Sequence, residues 1–195
     1  MGYYKAGFTD IVGVDINPQP HYPFTFIQAD AVNYAKAHGA EFDAIHASPP
    51  CQAWTLAQRI RQRQHPDFIV PIRQVLQQLR VPYIIENVEG APLVSPVLLC
   101  GAMFGLHTYR HRLFECSFPV LAPEHPPHVA RITKMGRRVK PGEFMHIVGN
   151  FSGVELARKI MDMPWATRRE LREAIPPTYT EYLGAQLMQV VRRVA

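Results

Sequence analysis

The chain has 195 residues, with 47% hydrophobic and 19% charged side chains and a net charge of +5. That is enough apolar chain for one α/β domain with its own core, and it excludes a disordered or low-complexity protein. No apolar run is long enough to cross a bilayer, and the N-terminus carries no secretory pattern. The three cysteines, Cys51, Cys100 and Cys116, show no CxxC or Cys/His zinc spacing, which implies a reduced, cytoplasmic compartment.

In chain order, "DIVGVDI" (10–16) is a short β-branched run that ends at Asp15, and "FTFIQAD" (24–30) is a second that ends at Asp30. A third, "FDAIHAS" (42–48), leads directly into two prolines, and a fourth, "PYIIENV" (82–88), carries Glu86 and Asn87 at its end. Between the third and fourth, Phe68, Ile72, Val75, Leu76 and Leu79 fall on one helical face. Strands alternating with helices predict a parallel, doubly wound sheet. In such sheets ligands bind beyond the carboxyl ends of the strands, which is where Asp15, Asp30, Cys51 and Glu86 fall.

From 117 to 148 the chain is rich in proline, histidine and arginine and lacks periodicity, so an irregular insert is expected there. Residues 1–116 and 149–195 then form the main domain. Thr167 with Glu170, and Thr178 with Glu181, have capping-box spacing. The second pair should open a terminal helix that buries Tyr182, Leu183, Leu187 and Val190. His107, His111, His125, His128 and His146 show no ligand spacing, so no metal is expected. Cys100 and Cys116 read as buried packing thiols, and His46 as a packing residue on its strand.

The segment "SPPCQ" (48–52) carries the sharpest chemical signal. Two prolines fix φ, remove backbone donors and push the residue before them out of the helical region. They hold the Cys51 thiol in a stiff, extended turn, a frame that a packing cysteine does not need. Basic residues cluster nearby and again in the insert. Arg59, Arg61 and Arg63 follow the turn, and Arg131, Lys134, Arg137, Arg138 and Lys140 stand together with no acid among them. Such clusters suit a polyanionic partner.

"SPPCQ", "IIENVEG" and "YRHRLFE" occur in the order used by C5-cytosine DNA methyltransferases, and the chain resembles the compact phage- and prophage-type members over about residues 2–190. The resemblance implies a Rossmann-like, S-adenosylmethionine-dependent methyltransferase fold with a small target-recognition insert. It implies methyl transfer to C5 of a cytosine flipped out of duplex DNA. Cys51 would add covalently to C6 of the base. Glu86 would bond the N3 and amino edge, Asn87 would support the loop, and Arg112 would contact the base or its phosphate and favour the thiolate. Arg110 is the second arginine of that motif, and Thr108 stands where the family usually has glutamine. For the cofactor, Asp15 would bind the ribose hydroxyls, Ile16 or Asn17 would lie against the adenine, Asp30 would read its amino group, and Pro50 would line the same site. Gln52, Arg59, Arg61, Arg63, Arg137 and Arg138 would contact DNA. Duplex DNA is the expected partner, with no membrane; the oligomeric state is left open, with a monomer favoured.

The family's glycine-rich first motif, F-x-G-x-G-G, is absent, so the first strand, near the middle of the family's sheet, is expected to be missing. The Gly-Asn pair usual before the C-terminal "xVPP" is replaced by Arg172 and Glu173. Three explanations stand: an internal start in a longer protein, a fragment completed by a partner, or a degenerate enzyme. The alternative functions are a non-catalytic DNA-binding protein and C5 methylation of RNA cytosine.

Overall fold

The computed structural model describes residues 1–51, 54 and 66–194. Gln52, Arg59, Arg61 and Arg63 lie outside the described residues. The elements are α1 (Gly2–Lys5), β1 (Val12–Asp15), β2 (Thr25–Gln28), α2 (Ala31–His38), β3 (Ile45–Ala47), α3 (Ile69–Leu79), β4 (Tyr83–Asn87), β5 (Val97–Leu99), β6 (Arg112–Cys116), α4 (Val154–Met161), α5 (Arg168–Glu173) and α6 (Pro177–Val194). This is a mixed α/β architecture.

The sheet is not parallel throughout, as the alternation of strands and helices had predicted. β1 and β2 pair in parallel as a two-stranded sheet, and a four-stranded sheet runs in the order β3-β4-β6-β5. β3 and β4 are parallel, but β6 is antiparallel to both β4 and β5. β6 enters between β4 and β5 and runs against both, so the strand–helix–strand pattern that joins β3 through α3 to β4 does not continue past β4.

β4 is the centre of the core. All five of its residues are buried, and its side chains alternate between two packing layers. Ile84 meets Leu99, Phe114, Tyr179, Leu183 and Leu187 on one face, while Tyr83 and Ile85 meet Ile72, Val75 and Leu76 of α3 on the other. By contrast β1 and β3 are only half-buried. Each has one edge that no described strand pairs, and both line a cleft of about 780 Å³ with Tyr3, Phe8 and Leu187.

The helix expected before β4 forms, with one shift. Phe68 caps it and stays partly exposed, and Ile69 takes the buried position. The Thr167–Glu170 capping box forms in both directions, Glu170 N–H to Thr167 Oγ1 at 3.3 Å and Thr167 N–H to Glu170 Oε2 at 2.6 Å. The Thr178–Glu181 pair does not cap. α6 starts earlier, at Pro177, whose missing N–H and fixed φ suit the first helical position. Leu183 and Leu187 are buried as expected. Tyr182 and Val190 are half-buried, and the inward position belongs to Tyr179. α1 packs on α6 at close range: a Cβ on Gly2 would lie 2.0 Å from Thr180 Oγ1 and 2.1 Å from the Pro177 carbonyl oxygen.

The proline-rich region has one β-bridge, Ile132 to Phe144, and no named helix or strand between β6 and α4. It feeds a second core in which Met145 and Ile147 pack with Phe151, Ala157, Met161, Ala166 and Leu171. The expected boundary at 148 falls inside this core.

One polar anchor joins α3 to the sheet. Arg73 donates to both oxygens of Glu115 at 2.7 Å and to the Pro92 carbonyl at 2.8 Å, and the Val94 N–H donates to the same carboxylate. The Glu115 side chain is only 5% exposed. Replacing one partner strands the other, so Arg73→Leu should lower the unfolding free energy by about 3–5 kcal/mol, read by urea denaturation.

Candidate active site

The site forms where β3 and β4 end and β6 begins. After β3 the chain runs Ser48-Pro49-Pro50-Cys51, and the Trp54 N–H donates to the Cys51 carbonyl at 2.9 Å, so the backbone turns directly behind the thiol. Asn87, 1% exposed at the end of β4, holds this turn: its Nδ2 donates to the Pro49 carbonyl at 3.0 Å, and its Oδ1 accepts from the Val88 N–H at 2.9 Å. One buried amide therefore fixes the cysteine loop against the strand that carries Glu86.

Glu86 is 8% exposed, and its carboxylate pairs with Arg112 Nε at 2.9 Å. Arg112 opens β6 and also donates through Nη1 to the His111 carbonyl at 2.8 Å. Burial raises the Glu86 carboxyl above its ordinary range, against the opposing pull of Arg112, a bond from Ser48, and Arg110. Burial likewise pushes the Cys51 thiol up. Arg112 lowers it, the Glu86 charge raises it, and Arg110 lowers it more weakly. Cys51, Glu86 and Arg112 thus form one electrostatic unit.

Arg110 is different. Its guanidinium is buried and donates to the main-chain carbonyls of Ile147 at 2.7 Å, Arg172 at 2.8 Å and Ala174 at 2.8 Å. Burial brings its pKa down to about 9. Its backbone is left-handed at φ +36°, held there by the Tyr179 hydroxyl, which donates to the Arg110 carbonyl at 3.0 Å. With its donors committed to carbonyls, Arg110 is a positioning residue for Arg112 two places on.

The residues expected at a cofactor surround the cleft. Asp15 ends β1, and its carboxylate accepts from the Asn17 N–H at 2.7 Å and from Gln19 Nε2 at 3.2 Å. Ile16 is 66% exposed, an apolar surface beside that carboxylate. Asp30 caps α2 by accepting from the Asn33 N–H at 2.8 Å, and Pro50 lines the cleft. Arg137 and Arg138 are exposed in the irregular region, together with Arg131, Lys134 and Lys140.

Sequence reasoning missed a hydrogen-bonded chain behind the site. Tyr3 Oη lies 2.6 Å from His46 Nδ1, and His46 Nε2 lies 3.0 Å from Ser48 Oγ, which in turn bonds Glu86. His46 is therefore a link between the cleft and Glu86 rather than simple packing. Burial lowers its pKa to about 4, so the ring stays neutral. The one sequence signal was the serine directly before the prolines. Sequence reasoning also missed a group made by Cys100, His111, His125 and His128.

Models of known protein families were compared with the chain and none matches, and no curated protein matches it either. No helix among the described residues is long and apolar enough to cross a membrane.

The shared electrostatics have opposite consequences for two variants. Glu86→Gln removes a negative charge beside Cys51, so its alkylation midpoint should move down by about one pH unit, whereas Arg112→Leu should move it up by at least as much. Peptide-resolved mass spectrometry of iodoacetamide labelling across a pH series checks both.

Proposed function

We propose that this protein is a C5-cytosine DNA methyltransferase of Rossmann-like fold, acting on a base flipped out of duplex DNA. The observation that carries this reading is the convergence of Cys51, Glu86 and Arg112, with the cysteine turn pinned by Asn87. A thiol in a rigid turn beside a carboxyl that burial raises above its ordinary range suits one reaction class: nucleophilic addition to a ring that must accept a proton at the same time.

The Cys51 thiolate forms a bond to C6 of cytosine. The displaced electron pair moves through the ring to N3, which takes its proton from the Glu86 carboxyl. Arg112, held by Glu86 at 2.9 Å, offsets the negative charge on whichever of the two acids has lost its proton. C5 of the resulting enamine is the carbon that accepts the methyl group. Loss of the C5 proton to solvent then lets the C6–S bond break and returns the thiolate, and N3 gives its proton back to the Glu86 carboxylate.

S-adenosylmethionine, when bound, supplies the electrophilic methyl group. The residues at the cleft fit its adenosine half. Asp15 retains acceptor capacity for a ribose diol at Oδ2, which has two lone pairs and accepts one described bond, from Gln19 Nε2, while Oδ1 accepts two, both from Asn17. Ile16 offers an apolar face for a purine. β1 and β3 each keep an edge that no described strand pairs and both line the cleft, which is compatible with a family fold whose first strand is missing here. The exposed Arg131, Lys134, Arg137, Arg138 and Lys140 supply the positive surface that a phosphate backbone requires.

Transfer of labelled methyl from S-adenosylmethionine to duplex DNA is the test, with tRNA as a second acceptor. Incorporation into DNA that disappears in Cys51→Ala supports the proposal. Incorporation into tRNA alone would redirect it to RNA. Salt-dependent DNA binding without incorporation, with or without an added F-x-G-x-G-G strand segment, would replace it with a binding protein.

A further inference from the structure

The antiparallel register of β5 and β6 pairs Leu99 with Arg112. One step outward, Cys100 and His111 therefore stand opposite each other at the end of the ladder. The irregular segment after β6 returns to this point and adds His125 and His128. One ligand atom from each of the four residues lies within 4.8 Å of all the others. The sequence separations, which predicted no metal, gave no hint of this, because two strands and a returning loop create the group.

Hydrogen bonding alone cannot satisfy the arrangement. A ring nitrogen carries either one proton or one lone pair. His111 Nε2 lies 3.3 Å from the Nε2 atoms of both His125 and His128, and His128 Nε2 also lies 3.3 Å from Cys100 Sγ. No assignment of protons gives each contact its own aligned donor and lone pair. A cation at the centre receives all four lone pairs at once. The spacing fits such an ion: metal–nitrogen bonds of about 2.0–2.1 Å in a tetrahedron place nitrogen ligands roughly 3.3 Å apart.

The surroundings are those of a ligand set. His111 Nδ1 lies 3.0 Å from Glu89 Oε2, and a carboxylate can only accept, so Nδ1 carries the proton and Nε2 keeps its lone pair. The His128 ring stacks on Tyr109 with centroids 3.6 Å apart and planes 14° from parallel. The Tyr109 hydroxyl exchanges hydrogen bonds with the Ala130 main chain and so fixes the loop that presents His128. The buried Cys100 sulfur accepts from the Met103 N–H at the start of a short helical turn, a bond that fixes its position at the end of β5.

We propose that Cys100, His111, His125 and His128 bind a zinc ion in a closed, structural, four-coordinate site. One thiolate and three imidazoles match the ligand preference of zinc. The ion clamps the irregular 121–130 segment to the β5–β6 end, directly before Arg112. The inference does not depend on the methyltransferase reading, and its test reads metal rather than activity.

Elemental analysis of the intact protein, purified under reducing conditions, should find about one zinc per chain. Cobalt(II) added to metal-free protein should give the visible bands of a tetrahedral ion together with a thiolate-to-cobalt charge-transfer band. His125 and His128 are exposed, so the double variant His125→Ala/His128→Ala should keep its circular dichroism and lose the metal. Glu89→Gln should weaken zinc binding by about 10–100-fold, and Cys116→Ser should leave it unchanged. Wild-type protein that takes up neither ion, or a folded double variant that binds zinc as tightly as wild type, overturns the proposal.

Discussion

A guanidinium buried without a carboxylate partner is the constraint on which the molecule turns. Arg110 gives up hydration and receives only main-chain carbonyls in return, from Ile147, Arg172 and Ala174. Those carbonyls belong to the irregular region and to the segment before α6, so one side chain joins the start of β6 to both. The left-handed backbone at Arg110 persists because these bonds and the Tyr179 hydroxyl over-determine it. β6 begins two residues later, and its register on β4 and β5 sets where Arg112 meets Glu86. Without that anchor Arg112 has no fixed origin.

The proposed chemistry depends on the balance that this placement creates. Burial opposes charge on both Cys51 and Glu86, and Arg112 relieves either, but one cation serves two acids. Ionising the thiol therefore becomes easier as Glu86 becomes neutral. The proposed addition couples these events, because the base takes up the negative thiolate at C6 and a proton at N3 in one step. Asn87 adds rigidity: it has no charge to contribute, yet it ties the thiol's loop to the carboxyl's strand.

Much of the site was legible because strand ends can be read locally. Runs of β-branched residues stop where Asp15, Cys51 and Glu86 begin, and prolines announce the cysteine turn. The split and mixed character of the sheet was not legible, since pairing between β4, β5 and β6 is settled by connections and packing that no single run records. The capping spacing at Thr167 succeeded because Thr167 is exposed and Glu170 gives one carboxylate oxygen to the cap while the other meets His21. The same spacing at Thr178 failed because Pro177 already occupies the first turn. Phe68 and Ile69 exchanged roles because a helical stripe read from sequence does not say which residue is the cap. The Cys100–His128 group lay wholly beyond such reading, since its members meet through strand register.

The half-open sheet has a further consequence for the stability of its parts. β4 is covered on both faces and both edges, so its amides exchange with solvent only when the whole core opens. β1 and β2 form a separate ladder, half-buried and open on the cleft side, and should open far more readily as a unit. That ladder carries Asp15. A ligand that bonds this carboxylate would draw its binding energy from the least stable part of the fold. Protection of residues 12–28 would then rise long before any change reached the core.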